Sequence, residues 1–388
     1  MVSDDCVVLG LGAVTGYGWG VDSLWQGLLS GKSAARQVDG YGPGGADRAW
    51  VALVPDGGDP QDGPTRFARA MRAAAREAIE DAVRRGWLPG ERVGLVHAVV
   101  IGEVDLWRDF YLRHNGRLPV RDYLYLMPST PISLFMQEYG FRGPAMNVSA
   151  MCASGNAAML TGKAWLDAEI VDDVIVVATD LSATRENVLH FARLGVTITD
   201  AEPLDACRPF QDGSRGFVMG EASAAFVMSK RRSGAATPYL RALGGAMTHD
   251  AHHVTSVEPD LTSIRACVEA ALRDSGVPGS AVRYLHAHGP GTRQCDRAEA
   301  SVLAEFFSSE TWLYSMKPLV THCQGAASAV EIVATALAHE HGLIPAPAAV
   351  APAHPRLLSG PTPLVEGVTV KSSLGLGGHN SVVLLAPA

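Results

Sequence analysis

The stretch Ala145-Met146-Asn147-Val148-Ser149-Ala150-Met151-Cys152-Ala153-Ser154-Gly155-Asn156-Ala157-Ala158 turns from a strand into a helix at a cysteine. The pattern predicts a strand over 145–150 and a helix over 153–168. That helix carries Ala, Gly and Ser on nearly every side, as expected of a helix packed closely inside a protein. The arrangement recurs later in the chain. Lys317-Pro318-Leu319-Val320-Thr321-His322 leads directly into a second small-residue helix, 324–340. A cysteine heads one central helix and a histidine heads the other.

Working outward, the two halves show the same order of elements. In the first, a strand and turn at 5–13 precede a helix at 65–85. Apolar strands follow at Val93–Ile101 and Val174–Asp180, and Phe217–Ser229 closes the half. In the second, a strand at 238–247, a helix at 261–274 and a short strand at Tyr284–His288 precede His322, and strands at 366–373 and 380–386 close the chain. Alternating strands and helices predict an α/β fold with buried sheets. The expected division is 1–235, carrying Cys152, and 236–388, carrying both His288 and His322. Residues 40–64, 184–215 and 343–364 read as loops.

The chain has 388 residues, is 47% hydrophobic and carries a net charge of −8. That balance argues against nucleic acid, since phosphate contacts need clustered Lys and Arg. Apolar runs fall short of the ~18 residues a membrane span needs. The acidic start Met1-Val2-Ser3-Asp4-Asp5 is unlike a signal peptide, so a cytoplasmic protein is expected. Six scattered cysteines without a CxxC pair predict neither a zinc site nor a disulfide framework. Three motifs are set aside. Gly27-Leu28-Leu29-Ser30-Gly31-Lys32-Ser33 is one residue short of a P-loop. Gly10, Gly12 and Gly16 miss the dinucleotide spacing and read as a tight turn. His249, His252 and His253 lack the carboxylate pattern of a metal site.

Cys152, between a strand and a helix start, is placed where helix N–H groups favour a thiolate. His288 lies in His286-Ala287-His288-Gly289-Pro290-Gly291-Thr292, at a strand end before a glycine-rich turn. In a duplicated fold the two helix starts meet near the axis relating the halves, so Cys152 and His322 face each other. A cysteine with two histidines and Lys317 suits thioester chemistry.

These residues resemble the β-ketoacyl-acyl-carrier-protein synthases of fatty acid and type II polyketide pathways, of the elongating Cys-His-His kind. The likeness extends over about residues 5–386. It includes Val7-Val8-Leu9-Gly10-Leu11-Gly12, Gly143-Pro144, Arg208-Pro209-Phe210, Gly216-Phe217-Val218-Met219-Gly220-Glu221, Ala287-His288-Gly289 with Asp296 and Glu299, and Gly375-Leu376-Gly377-Gly378-His379-Asn380. The resemblance implies the thiolase fold, a five-layered αβαβα sandwich of two similar halves, in a homodimer or a heterodimer with a related subunit. It implies decarboxylative condensation between an acyl group on Cys152 and a malonyl-type extender. Both substrates are carried on the phosphopantetheine of an acyl carrier protein, with no bound metal or redox cofactor. By the same likeness, Cys152 and Leu376 supply oxyanion-hole N–H groups, His288 and His322 assist loss of CO2, and Glu299 pairs with Lys317. Thr292 contacts pantetheine, and His253 and Thr255 line the mouth of the site.

The chain departs from the family at several positions. Met151 stands where alanine is usual, which reshapes the acyl pocket, and Leu374 and Leu376 replace phenylalanines. Pro290 replaces a threonine and Cys295 a glycine. These changes predict specialised metabolism. Two alternatives stand beside the condensing enzyme: a non-elongating acyltransferase on the same fold, and a catalytically silent partner that sets chain length.

Overall fold

The structure is a computed structural model that describes residues 6–42, 47–113, 117, 119–230 and 236–388. The acidic N-terminus and residues 231–235, beside the expected boundary between the halves, lie outside the described residues.

The first half contributes strands β1 (Cys6–Thr15), β2 (Val93–Ala98), β3 (Ala145–Val148), β4 (Asp173–Asp180) and β5 (Ala222–Lys230), with helices α1 (Arg66–Arg84) and α2 (Ser154–Asp167). The second contributes β6 (Leu240–His249), β7 (Val282–His286), β8 (Trp312–Tyr314), β9 (Val368–Gly375) and β10 (His379–Pro387), with α3 (Thr262–Ser275), α4 (Arg293–Phe306) and α5 (Ala327–His341). The strand order is β8-β7-β9-β10-β6-β1-β5-β4-β2-β3. Each half follows one rule. Its first strand pairs antiparallel with its last, the last pairs antiparallel with the one before it, and two further strands add in parallel. The duplication suggested by the order of elements is therefore explicit in the pairing.

The two sheets join at one corner, where β1 pairs with β6 through Cys6, Val7 and Val8. Helices α2 and α5 lie between the sheets: α2 touches β2 and β4 on one side and β6 and β10 on the other. Helix α1 covers the outer face of the first sheet, and α3, with α4 beside it, covers the second. This is the five-layered sandwich of the thiolase fold. Small residues on α2 and α5 let the central layer close. A Cβ on Gly155 would lie 2.5 Å from the Ala329 nitrogen, so only glycine permits this approach.

Gly10 and Gly12 are not a tight turn. They lie within β1, where a Cβ would strike the carbonyls of Ala78 and Ala74 on α1. Helix packing, rather than turn geometry, requires them. All three expected loops hold structure: within 40–64, Arg48–Val51 is a short strand paired with Arg36–Asp39; residues 185–193 are helical; and the short strands Leu343–Pro345 and Pro361–Pro363 pair with each other. Among the described residues, no helix is long and apolar enough to cross a membrane.

Candidate active site

The sulfur of Cys152 and one ring nitrogen each of His288 and His322 lie within 4.8 Å of one another, and all three residues are buried. The imidazoles meet edge to face, 5.3 Å between centroids. The second-half helix start and the β7 end thus deliver two bases to a thiol presented by the first half. This is the only such cluster of metal-binding side chains among the described residues. Its donor set would suit a soft divalent ion. The backbone N–H groups of Leu376 and Cys152, which both favour the charged form of the sulfur, suit an anion instead.

A strained turn presents the nucleophile. Met151 adopts φ 50°, a left-handed conformation uncommon outside glycine. Ser154 clamps it: its Oγ accepts from the Ala150 N–H at 2.8 Å and donates to the Met151 carbonyl at 2.6 Å. Ser373 donates to the Cys152 carbonyl. The other half repeats the device, with Thr321 at φ 69° directly before His322. A β-branched residue there is an outlier that its surroundings must hold in place.

Electrostatics depart from the expectation of a thiolate at rest. Burial pushes the Cys152 thiol up to about 11, outweighing the Leu376 N–H and the Lys317 charge that pull it down. Burial, reinforced by Lys317, likewise holds both histidines well below their ordinary value, so both rings are neutral. The Gln324 N–H donates to Nδ1 of His322 at 3.0 Å, which leaves the neutral ring's proton on Nε2.

Lys317 does not pair with Glu299. Its ammonium lies 2.5 Å from Glu331, and Lys371 holds the other oxygen of the same carboxylate at 2.9 Å. Glu299 instead accepts the backbone N–H groups of His288 and Gly289, at 2.7 and 2.8 Å, and the Ser372 hydroxyl. Its position on α4 brings it beneath the His288 turn, where two backbone donors satisfy it. Glu331, Lys371, Ser154 and Gln324 are absent from the sequence-based set. Glu331 does leave a signal in the chain, as a lone charge inside the apolar run 329–338, whereas Lys371 lies in the mixed stretch Val368-Thr369-Val370-Lys371-Ser372-Ser373-Leu374.

The thiol and both imidazoles open onto a cavity of about 460 Å³ that Thr255, Thr292 and Leu374 also line. Thr292 begins α4 there. Met151 and His253 do not line it. Across the strained turn Cys152 reaches the cavity and Met151, one residue before it, does not. His253 serves its own loop, its Nδ1 accepting the N–H groups of Thr255 and Ser256.

Residues 62–233 match the family model for the N-terminal domain of β-ketoacyl synthases, and residues 239–350 match that for the C-terminal domain. The chain is 30% identical to the tetracenomycin polyketide synthase ketoacyl synthase alpha subunit of Streptomyces glaucescens, over 87% of this chain and 85% of that protein. It is 26% identical to the chloroplastic 3-oxoacyl-[acyl-carrier-protein] synthase I of Hordeum vulgare, over 98% of this chain and 88% of the other. Among solved structures, a type II polyketide ketosynthase with its acyl-carrier protein superposes with a TM-score of 0.87 at 22% identity, covering 99% of this chain and 100% of that one. The ishigamide ketosynthase/chain length factor superposes at 0.85 with 24% identity, covering 99% of each chain. By its matched domains and by these relatives, the chain belongs to the β-ketoacyl synthase family.

Proposed function

We propose that this chain catalyses decarboxylative condensation between an acyl group held on Cys152 and a malonyl-type extender, both delivered by acyl carrier protein. The observation that carries this reading is the convergence of one thiol, two neutral imidazoles and two backbone N–H groups in a single buried cavity. In the first half-reaction the Cys152 sulfur attacks the acyl thioester carbonyl. The Leu376 and Cys152 N–H groups hold the oxyanion, a donor of this kind being worth about 2.7–4 kcal/mol. The thiol proton leaves with the pantetheine sulfur. In the second, the extender's carboxylate departs as CO2 and its electron pair forms an enolate. The Nε2–H of His322, with His288, donates to the enolate oxygen. The enolate carbon attacks the acyl-Cys152 carbonyl and the cysteine is released as thiol after taking up one proton.

Lys317, paired with Glu331, orders the site electrostatically, and Thr292, Thr255 and Leu374 contact the pantetheine arm. The halves divide at 235/236, each supplying part of the site. Strand β3 ends the sheet with half-exposed residues, Met146 being 40% exposed. Between β2 and β3 in the chain, Trp107, Phe110, Tyr111 and Tyr123 form an aromatic cluster. An edge strand without a further partner among the described residues favours pairing with a second subunit of the same kind. The substitutions at Leu374, Leu376 and Pro290 fit specialised metabolism.

The test is a panel of acyl carrier proteins, with Cys152 read by peptide mass spectrometry before and after malonyl carrier is added. Acylation at Cys152, then CO2 release and a product two carbons longer, is the expected outcome. Acylation without elongation would establish an acyltransferase instead. No acylation, with or without a related subunit, would establish a silent partner.

A further inference from the structure

Strand β9 places Lys371 opposite His286 of β7, with its ammonium entirely enclosed. The ammonium lies 2.9 Å from Glu331, donates to the Ser372 carbonyl and reaches the His286 carbonyl at 3.5 Å. Two buried connections lead from it. Through Glu331 it meets Lys317. Through its neighbour Ser372, whose hydroxyl is 2.5 Å from Glu299, it meets the carboxylate that holds the His288 backbone. Lys371 thus sits between the Lys317–Glu331 pair, which it contacts directly, and Glu299, which it reaches through the backbone and hydroxyl of Ser372.

Charge makes this position consequential. Two ammonium groups face two carboxylates in a region without solvent, and the set is neutral. Removing one buried partner leaves an uncompensated charge, a costly state inside a protein. Without Lys371, the excess would be negative and would lie behind His288 and His322. Such a field favours imidazolium. A protonated ring beside a carbanion transfers its proton to carbon, which ends the reaction as plain decarboxylation.

We propose that Lys371 is a positioning residue for the condensation step: by balancing Glu331 and Glu299 it keeps both imidazoles neutral, so that the enolate reaches acyl-Cys152 unprotonated. This rests on the functional reading above. The titratable and charged groups around the two rings, besides each other, are Cys152, Lys317, Lys371, Glu331 and Glu299, with Asp180 and Asp296 beyond them and Asp250, Arg215, Arg293 and Cys295 lining the same cavity. Both lysines lower His288, after the larger effect of burial.

The experiment compares wild type, Lys371→Met and Lys371→Arg in the full chain, supplied with acyl carrier and malonyl carrier across pH 5.5–8. Mass spectrometry reads acyl-Cys152, β-ketoacyl carrier and acetyl carrier, the last being the product of a protonated enolate. Lys371→Met is expected still to acylate Cys152, at a rate measured separately, but to shift the product ratio about tenfold toward acetyl carrier. The shift is largest at low pH, since one unit of imidazole pKa is tenfold in proton affinity. Lys371→Arg, which keeps the charge, restores the ratio. An unchanged ratio in Lys371→Met overturns the proposal. Wild type supplies an independent check if that variant does not fold: its ratio stays flat down to pH 5.5, and a rise of acetyl carrier below pH 6.5 overturns the proposal as well. Absence of CO2 and of both products from wild type overturns the functional reading, and this inference with it.

Discussion

Replacing Ser154 with alanine removes one oxygen from the turn that presents the nucleophile. That oxygen accepts from Ala150 and donates to Met151, in a residue with no exposed surface. Two part-buried bonds are lost; the Ala150 N–H is left without its partner, while the Met151 carbonyl keeps the Ser154 N–H, at a combined cost of about 1–3 kcal/mol. The left-handed conformation that the clamp holds costs about 1–2 kcal/mol at a non-glycine residue. Because the lost bonds are comparable to the strain they hold, the turn is expected to relax at Met151 and swing Cys152 away from the Leu376 N–H. Misaligning one such donor slows reaction about 10²–10³-fold. Denaturant unfolding reads the stability change, and the acyl-Cys152 adduct, followed over time, reads the rate. If Ser154→Ala unfolds within about 0.5 kcal/mol of wild type, the scatter of an ordinary surface substitution, and acylates at the wild-type rate, the clamp does not hold the turn.

Three further outcomes are expected. Gly155→Val forces a side chain against the Ala329 nitrogen and Ser328 hydroxyl, and overpacking of this kind costs about 1–3 kcal/mol or more, read by thermal or denaturant unfolding. Cys152→Ala forms no acyl adduct but still releases CO2 from malonyl carrier, because the imidazoles and the charged groups behind them do not depend on the sulfur. The thiol's raised pKa disfavours the thiolate below about 11, so iodoacetamide labelling of Cys152 climbs through pH 9 to 11 rather than levelling off near 9. The same shift lowers stability over that window, since the unfolded chain releases the proton first and the folded chain retains it. A labelling plateau near pH 9 would refute the enclosed thiol.

The small-residue runs after Cys152 and His322 were legible because a helix enclosed on all sides has a composition no surface helix shares. From them followed the central layer, the duplication and the meeting of the thiol with two histidines. What stayed hidden depends on distance rather than pattern. Glu299 could not be assigned its partner, because a carboxylate on α4 has candidate donors in lysines and in backbone alike, and only the fold brings the His288 and Gly289 N–H groups within reach. The thiol's acidity was misjudged for a related reason. Proximity to a helix start is visible in the chain, whereas the enclosure that outweighs it arises from residues far apart in sequence. The β1–β6 seam that fuses the sheets was invisible because neither strand signals which edge it will meet.

The left-handed residues Met151 and Thr321 occupy equivalent places in the two halves, each one position before a reactive side chain. One fold of backbone thus offers the same pedestal twice, and the chemistry differs only in what stands on it: a sulfur that forms and breaks bonds, and an imidazole that donates a proton in a hydrogen bond. Neither pedestal works alone, since each faces a cavity that the opposite half completes. The alignment of sulfur and imidazoles is therefore set by how the two halves dock across the central helices.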